Sequence, residues 1–134
     1  MINEKYPHSE LTSRIIGSAM EVHNVLGNGF QELIYQRALA HEFNLRGINF
    51  KREHEMTVCY KGVEIGTRRV DFLVEGIISV ELKAITVLEK VHLAQAINYL
   101  EAYNLQTGLL INFGGLQLEF KRLDNKKYDG RINV

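Results

Sequence analysis

Between Arg69 and Ala84 the chain sets ionisable side chains into sequence that otherwise reads as buried strand. Gly76 divides the stretch into two apolar runs, Val70-Asp71-Phe72-Leu73-Val74 and Ile77-Ile78-Ser79-Val80-Glu81-Leu82-Lys83-Ala84. Charges in such runs are costly unless they are paired or bound to a metal. A fold for this chain must therefore bring Asp71, Glu81 and Lys83 to a place where their charges are answered.

Side chains alternate between the faces of a strand, so Glu81 and Lys83 point the same way. Whether Asp71 joins them depends on the loop. A two-residue loop at Glu75-Gly76 would put Asp71 opposite Val80, on the wrong face. A loop of Val74-Glu75-Gly76 would put Leu73 opposite Ile77 and Asp71 opposite Ser79, and Gly suits its left-handed position. This second register is the expected one. It places Asp71, Ser79, Glu81 and Lys83 on one face and Val70, Phe72, Ile78, Val80, Leu82 and Ala84 on the other.

Two neighbouring carboxylates repel unless a cation lies between them. Hard oxygen ligands favour Mg²⁺ or Mn²⁺ over zinc. Such an ion polarises a phosphoryl oxygen and acidifies water, and Lys83 could orient that water or offset charge on a phosphate. The competing interpretation is a satisfied ion pair on a sheet, and for an isolated Glu-x-Lys it is the better one. Asp71 at a compatible position strengthens the chemical interpretation.

Residues 9–26 have helical period, with Ile15, Ile16, Ala19, Met20, Val22, His23 and Leu26 on one face and Ser9 or Thr12 as possible caps. Gly27-Asn28-Gly29 stops that helix. A second helix is expected over residues 30–46, with Leu33, Ile34, Leu39, Ala40 and Phe43 inward, ending at Gly47. Strand pattern begins at Ile48, with alternation over residues 55–60, a turn at Lys61-Gly62, and strands over 63–74 and 77–84. Residues 89–104 are helical again. Leu109–Phe113 reads as a strand covered on both faces, and Leu116–Leu123 as an alternating final strand. The order α-α-β-β-β-α-β-β indicates an α/β or α+β fold.

With 134 residues the chain suits one domain over 1–134, with residues 1–8 and 124–134 expected to be loose. The formal charge is zero, from 16 basic and 16 acidic side chains. Net charge therefore makes no case for nucleic acid, and any basic surface must be local. Arg46, Lys51, Arg52, Lys61, Arg68, Arg69, Lys121 and Arg122 could face a phosphate backbone, though scattered charges of this kind are ordinarily surface. The lone Cys59 excludes an internal disulfide, suits a reducing cytoplasm and is expected to be a small packed side chain. No leader peptide is expected from residues 1–7, and no apolar run approaches the ~20 residues of a membrane span.

Other side chains could serve the acids. Gln95 and Tyr99 lie four apart on one helical face, with His92 on the same stripe. They could contact a phosphate or sugar, although a partly exposed helix face is the simpler account. Glu32, three residues before Tyr35, could turn toward a metal; taken alone it is a solvated glutamate. His23 reads as a hydrogen-bonded core histidine.

Gly29-Phe30-Gln31-Glu32-Leu33-Ile34-Tyr35 matches the signature of the GxxExxY proteins, a family assigned to the PD-(D/E)XK nuclease superfamily. The resemblance runs from Ile15-Ile16-Gly17 through Glu21-Val22-His23 and Leu26-Gly27 to Gly108–Gly114. It implies a restriction-endonuclease-like core, here a mixed central sheet of about five strands flanked by three helices. It also implies that Asp71 and Glu81 are the motif acids and Lys83 the motif lysine, with Glu32 the acid supplied by the preceding helix. Gln95 with Tyr99 resembles the Gln-x-x-x-Tyr element of the exonuclease branch. Val70 stands where the superfamily name has proline, at a position that carries no chemistry.

The expectation is a metal-dependent nuclease-like phosphodiesterase. Asp71, Glu81, Glu32 and the main-chain carbonyl of Leu82 would hold Mg²⁺ or Mn²⁺, Lys83 would assist the attacking water, and Gln95 and Tyr99 would position nucleic acid, DNA before RNA. The alternative is a non-catalytic module of the same fold that binds nucleic acid or a partner protein. A homodimer or an accessory protein, paired through the Leu116–Leu123 edge, is a third possibility.

Overall fold

The computed structural model describes residues 6–130. Helices α1 (Ser9–Leu26) and α2 (Glu32–Leu45) precede a hairpin of β1 (Phe50–Tyr60) and β2 (Val63–Val74). Strand β3 (Ile78–Lys83), helix α3 (Lys90–Tyr103), β4 (Thr107–Asn112) and β5 (Glu119–Asp124) follow. The sheet order is β1-β2-β3-β4-β5. Only β3 and β4 are parallel, because α3 carries the chain across between them. The expected element order and mixed five-stranded sheet are both present.

The core lies in two layers. On one face α1 and α2 cover Phe72, Val74, Ile78, Val80, Leu82, Leu109 and Ile111. On the other, α3 packs Ala96, Tyr99 and Leu100 against Val70, Leu73, Leu110 and Leu123. Every residue of β4 is buried, as a strand covered on both faces requires. A Cβ at Gly108 would stand 2.6 Å from Ser79 Oγ and 2.9 Å from Leu100 Cδ2, so this glycine lets α3 approach the sheet.

Several local expectations are corrected. The α1 N-cap is His8, not Ser9 or Thr12, and Met20 is exposed. Leu33 and Ile34 are also exposed, because α2 buries the face formed by Tyr35, Gln36, Leu39, Ala40 and Phe43. Cys59 is exposed, since neither core cluster includes any residue between Met56 and Val70. The last strand starts at Glu119, and Leu116 is 90% exposed. The chain after β5 is not loose: the Asn125 side chain donates to the Leu100 carbonyl (3.1 Å) and the Leu105 carbonyl (2.9 Å). Asn104 ties down Asp129. The looseness expected at residues 1–5 and 131–134 lies outside the described residues.

Tyr35, the last residue of the Gly-x-x-Glu-x-x-Tyr signature, is structural. Its hydroxyl donates to the Gly27 carbonyl and accepts from the Phe30 amide, and its ring stacks on Phe113 at 4.6 Å. It thereby fixes the entry to α2 and the position of Glu32. His23 is a core histidine as expected, with Nε2 3.1 Å from the Gly115 carbonyl.

Asn112 braces the end of β3. Its Oδ1 accepts from the amides of Ile85 and Gly114, and its Nδ2 donates to the Ile85 carbonyl and to Glu119. This fully satisfied buried amide holds the chain directly after Lys83. A Cβ at Gly114 would fall 2.2 Å from the Ile85 carbonyl oxygen, which is backbone and cannot rotate away. Gly114→Ala is therefore expected to lose on the order of 3 kcal/mol. Urea unfolding checks this, and a loss below about 1 kcal/mol would contradict the packing described.

Candidate active site

The hairpin register differs from the expected one. Val74 pairs with Ile78, Leu73 with Ser79 and Phe72 with Val80, so the loop is Glu75-Gly76-Ile77. Glu75 and Gly76 both have positive φ (54° and 71°), and Ile77 N–H closes the turn onto the Val74 carbonyl at 3.0 Å. Glutamate is tolerated there because its main-chain N–H and its side chain both bond the backbone of Asn49. The shift is even, so by register alone Asp71 would still share the face of Glu81.

Pairing of β2 with β3 ends at Phe72. One step further the register would set Asp71 opposite Glu81. Instead the Asp71 carboxylate accepts the Leu82 N–H at 2.8 Å, a donor that a continued ladder would have used. Across β2, Glu53 of β1 has φ 53°, and the Glu53–Asp71 step is missing from the pairing. The alternation breaks at this point. Val70 consequently packs with Met56 and the α3 layer, not with Phe72 as expected.

The other Asp71 oxygen accepts from Gln36 Nε2 at 2.8 Å. An ionised carboxylate can only accept, so the amide nitrogen of Gln36 must face it. Gln36 Oε1 is then left buried and without a hydrogen-bond partner among the described residues. Sequence reasoning missed Gln36. The available signal was its position four residues after Glu32, on the same helical face.

Glu32, Asp71, Glu81, Leu82, Lys83 and Gln95 line one cleft of about 390 Å³, together with Arg68 and Arg69. Glu81 is largely buried, and desolvation raises its pKa above the ordinary carboxylate value. Arg68 works against that shift, donating from Nη2 to Glu81 Oε1 at 3.1 Å, while the nearby Asp71 adds to it. Glu32 is also raised, first by burial and then by Asp71; Lys83 opposes and Glu81 reinforces the shift. Lys83 makes no ion pair among the described residues.

Two expected members sit elsewhere. Tyr99 is 1% exposed and stacks on Tyr103 within the α3 core. It lines a neighbouring cleft, and its buried hydroxyl has no hydrogen-bond partner among the described residues. His92 closes the start of α3 by accepting from the Glu89 amide. Gln95 does reach the acid-lined cleft, where its main-chain carbonyl accepts from Arg68 at 2.8 Å.

The oxygen donors suit a hard divalent cation in kind, and the unpartnered Gln36 Oε1 beside Asp71 is an acceptor that a water on such a cation would satisfy. The expected set of Glu32, Asp71 and Glu81 is not closed, however. Among the described residues no three His, Cys, Asp or Glu side chains converge as a metal site. Arg68 takes one Glu81 oxygen, and Gln36 and Leu82 take the Asp71 carboxylate.

A protein-family model described as the PD-(D/E)XK nuclease superfamily matches residues 9–123. The chain belongs to that superfamily, whose nucleases generally use divalent metals. No curated protein and no solved structure matches it. Among the described residues no helix is long and apolar enough to cross a membrane.

A carboxyl whose folded pKa is raised binds its proton more tightly folded than unfolded. Its contribution to stability is complete below the ordinary value of 4.5 and is lost as pH rises through the folded value. Glu32→Gln mimics the protonated form at every pH. The metal-free variant is therefore expected to match the wild type in acid and to melt at higher temperature at neutral pH, the gap opening as pH rises. Thermal midpoints across this range check it, and a gap that does not change with pH would contradict the assigned strain.

Proposed function

We propose that this chain is a divalent-metal-dependent phosphodiesterase acting on nucleic acid, DNA before RNA, within the GxxExxY group of its superfamily. The observation that carries this reading is that Glu32, Asp71, Glu81 and Lys83 line one polar cleft. Asp71, Glu81 and the Leu82 carbonyl would hold Mg²⁺ or Mn²⁺, with Glu32 at the edge of the shell. Bound there, the ion supplies Lewis-acid polarisation of a phosphoryl oxygen and a more acidic water.

The protein's own groups do the rest. Asp71 is held by the Leu82 N–H and Gln36, so its carboxylate is oriented before any ligand arrives. Lys83 brings an uncommitted ammonium that offsets charge developing on the phosphate and orients the attacking water. Its position follows from the Asn112 brace and from its own carbonyl, which accepts from Phe113 at 2.8 Å. Gln95 lies at the cleft wall, where it can meet the phosphate backbone.

Lys83→Ala is expected to lower cleavage of DNA in Mg²⁺ or Mn²⁺ by about a hundredfold or more while the thermal midpoint is kept. Asp71→Asn should do the same. Asp71→Ala is a poorer test, because it strands the Leu82 donor at a cost of about 1–3 kcal/mol. Labelled single- and double-stranded DNA and RNA separated on gels give the readout. Undiminished cleavage by purified Lys83→Ala would overturn the assignment.

The Arg68–Glu81 contact favours a second reading, a binding module whose acids are sealed by arginine. Such a module would bind nucleic acid with a steep salt dependence and no hydrolysis in any divalent metal.

A further inference from the structure

Arg68 occupies an unusual position. It projects from β2, and its Nη2 bonds both Glu81 Oε1 (3.1 Å) and the Gln95 carbonyl (2.8 Å). It also lines both the acid cleft and a second cleft of about 580 Å³, whose walls include Val58, Asn98, Tyr99 and Ala102. The neighbouring Arg69 also lines the acid cleft, but it pairs with Glu53 and Glu55 on β1 and does not line the second cleft. Arg68 is thus the guanidinium between the two clefts, and it answers the charge of a largely buried acid that a metal would otherwise answer.

We propose that Arg68 is a built-in competitor for the metal at Glu81, and that the ion releases it to bind a phosphate of the nucleic acid. This inference rests on the reading of the acid cleft as a metal site. The same carboxylate oxygen cannot serve a guanidinium and a divalent cation equally well, and two like charges beside it repel. Once the ion neutralises Glu81, the arginine loses its ionic partner and keeps only the neutral Gln95 carbonyl. Its side chain is 31% exposed, so the guanidinium can leave without opening the core. A guanidinium carries a planar fork of N–H donors suited to a phosphate. Seated between the clefts, it would grip the backbone where a strand passes from the larger cleft to the acids. Asn98 and the small apolar residues Val58 and Ala102 then face the adjoining nucleoside.

The coupling is reciprocal by linkage. Metal binding should strengthen the hold on nucleic acid, and removing the arginine should strengthen the hold on metal. Two titrations separate the parts. Calorimetry with Mn²⁺ alone compares wild type, Arg68→Met, Arg68→Gln and Asp71→Asn. Both Arg68 variants are expected to bind Mn²⁺ about fivefold more tightly, the fold-change for losing a partly exposed competing pair. Asp71→Asn should bind weakly or not at all. Equal or weaker Mn²⁺ binding by both Arg68 variants, with Asp71→Asn still impaired, would overturn the competitor role and leave the metal site standing. No Mn²⁺ binding by any of the proteins would overturn both.

The second titration uses a short labelled DNA duplex on a Lys83→Ala background, so that the probe survives. Mn²⁺ should tighten duplex binding there, and adding Arg68→Met should remove that gain and lower the salt slope by about one. An unchanged gain and slope would overturn the phosphate role.

Discussion

The site depends on one hydrogen bond, the Leu82 N–H donated to the Asp71 carboxylate at 2.8 Å. It forms where the ladder between β2 and β3 stops, and it converts an orphaned backbone donor into the anchor of a functional acid. Because the donor is on β3, the bond ties the position of Asp71 to the strand that carries Glu81 and Lys83. Two strands that part at this point open a cleft while the Leu82 donor stays paired. Gln36 then fixes the second oxygen from α2, so the helix layer and the sheet jointly set one carboxylate.

The rest of the fold can be read as support for that split. Tyr35 locks the turn before α2 and so aims Glu32 and Gln36. Asn112 and the glycine at 114 clamp the chain after Lys83. Gly108 admits α3 close to the sheet, bringing Gln95 to the cleft wall. Rigid elements hold a cluster of like charges that would disperse in a looser scaffold, and burial first, with Asp71 adding to it, raises the pKa values of Glu32 and Glu81. Functional sites commonly store cost of this kind.

Much of this was legible in the residues. Period and alternation gave the eight elements in order, and the acids and lysine stood out because charge in apolar strands needs an answer. Glu32 was legible only through its spacing from Tyr35 and the signature they share. What was not legible has physical causes. The hairpin register turned on a glutamate in a left-handed conformation, stabilised by Asn49, which local turn preferences disfavour. Cys59 and Val70 were misplaced because their burial depends on how far the helix layers reach and on a break in alternation at Asp71. Tyr99 shares a helical stripe with Gln95, yet that stripe spans the boundary between core and cleft. Arg68 looked like ordinary surface charge, because its partner Glu81 lies on another strand.

The most direct test of the account is anomalous diffraction from crystals grown with Mn²⁺. The account predicts a peak coordinated by Asp71, Glu81 and the Leu82 carbonyl, with Lys83 facing it. A peak elsewhere with this cleft empty, or an intact Arg68–Glu81 contact at saturating Mn²⁺, would contradict it.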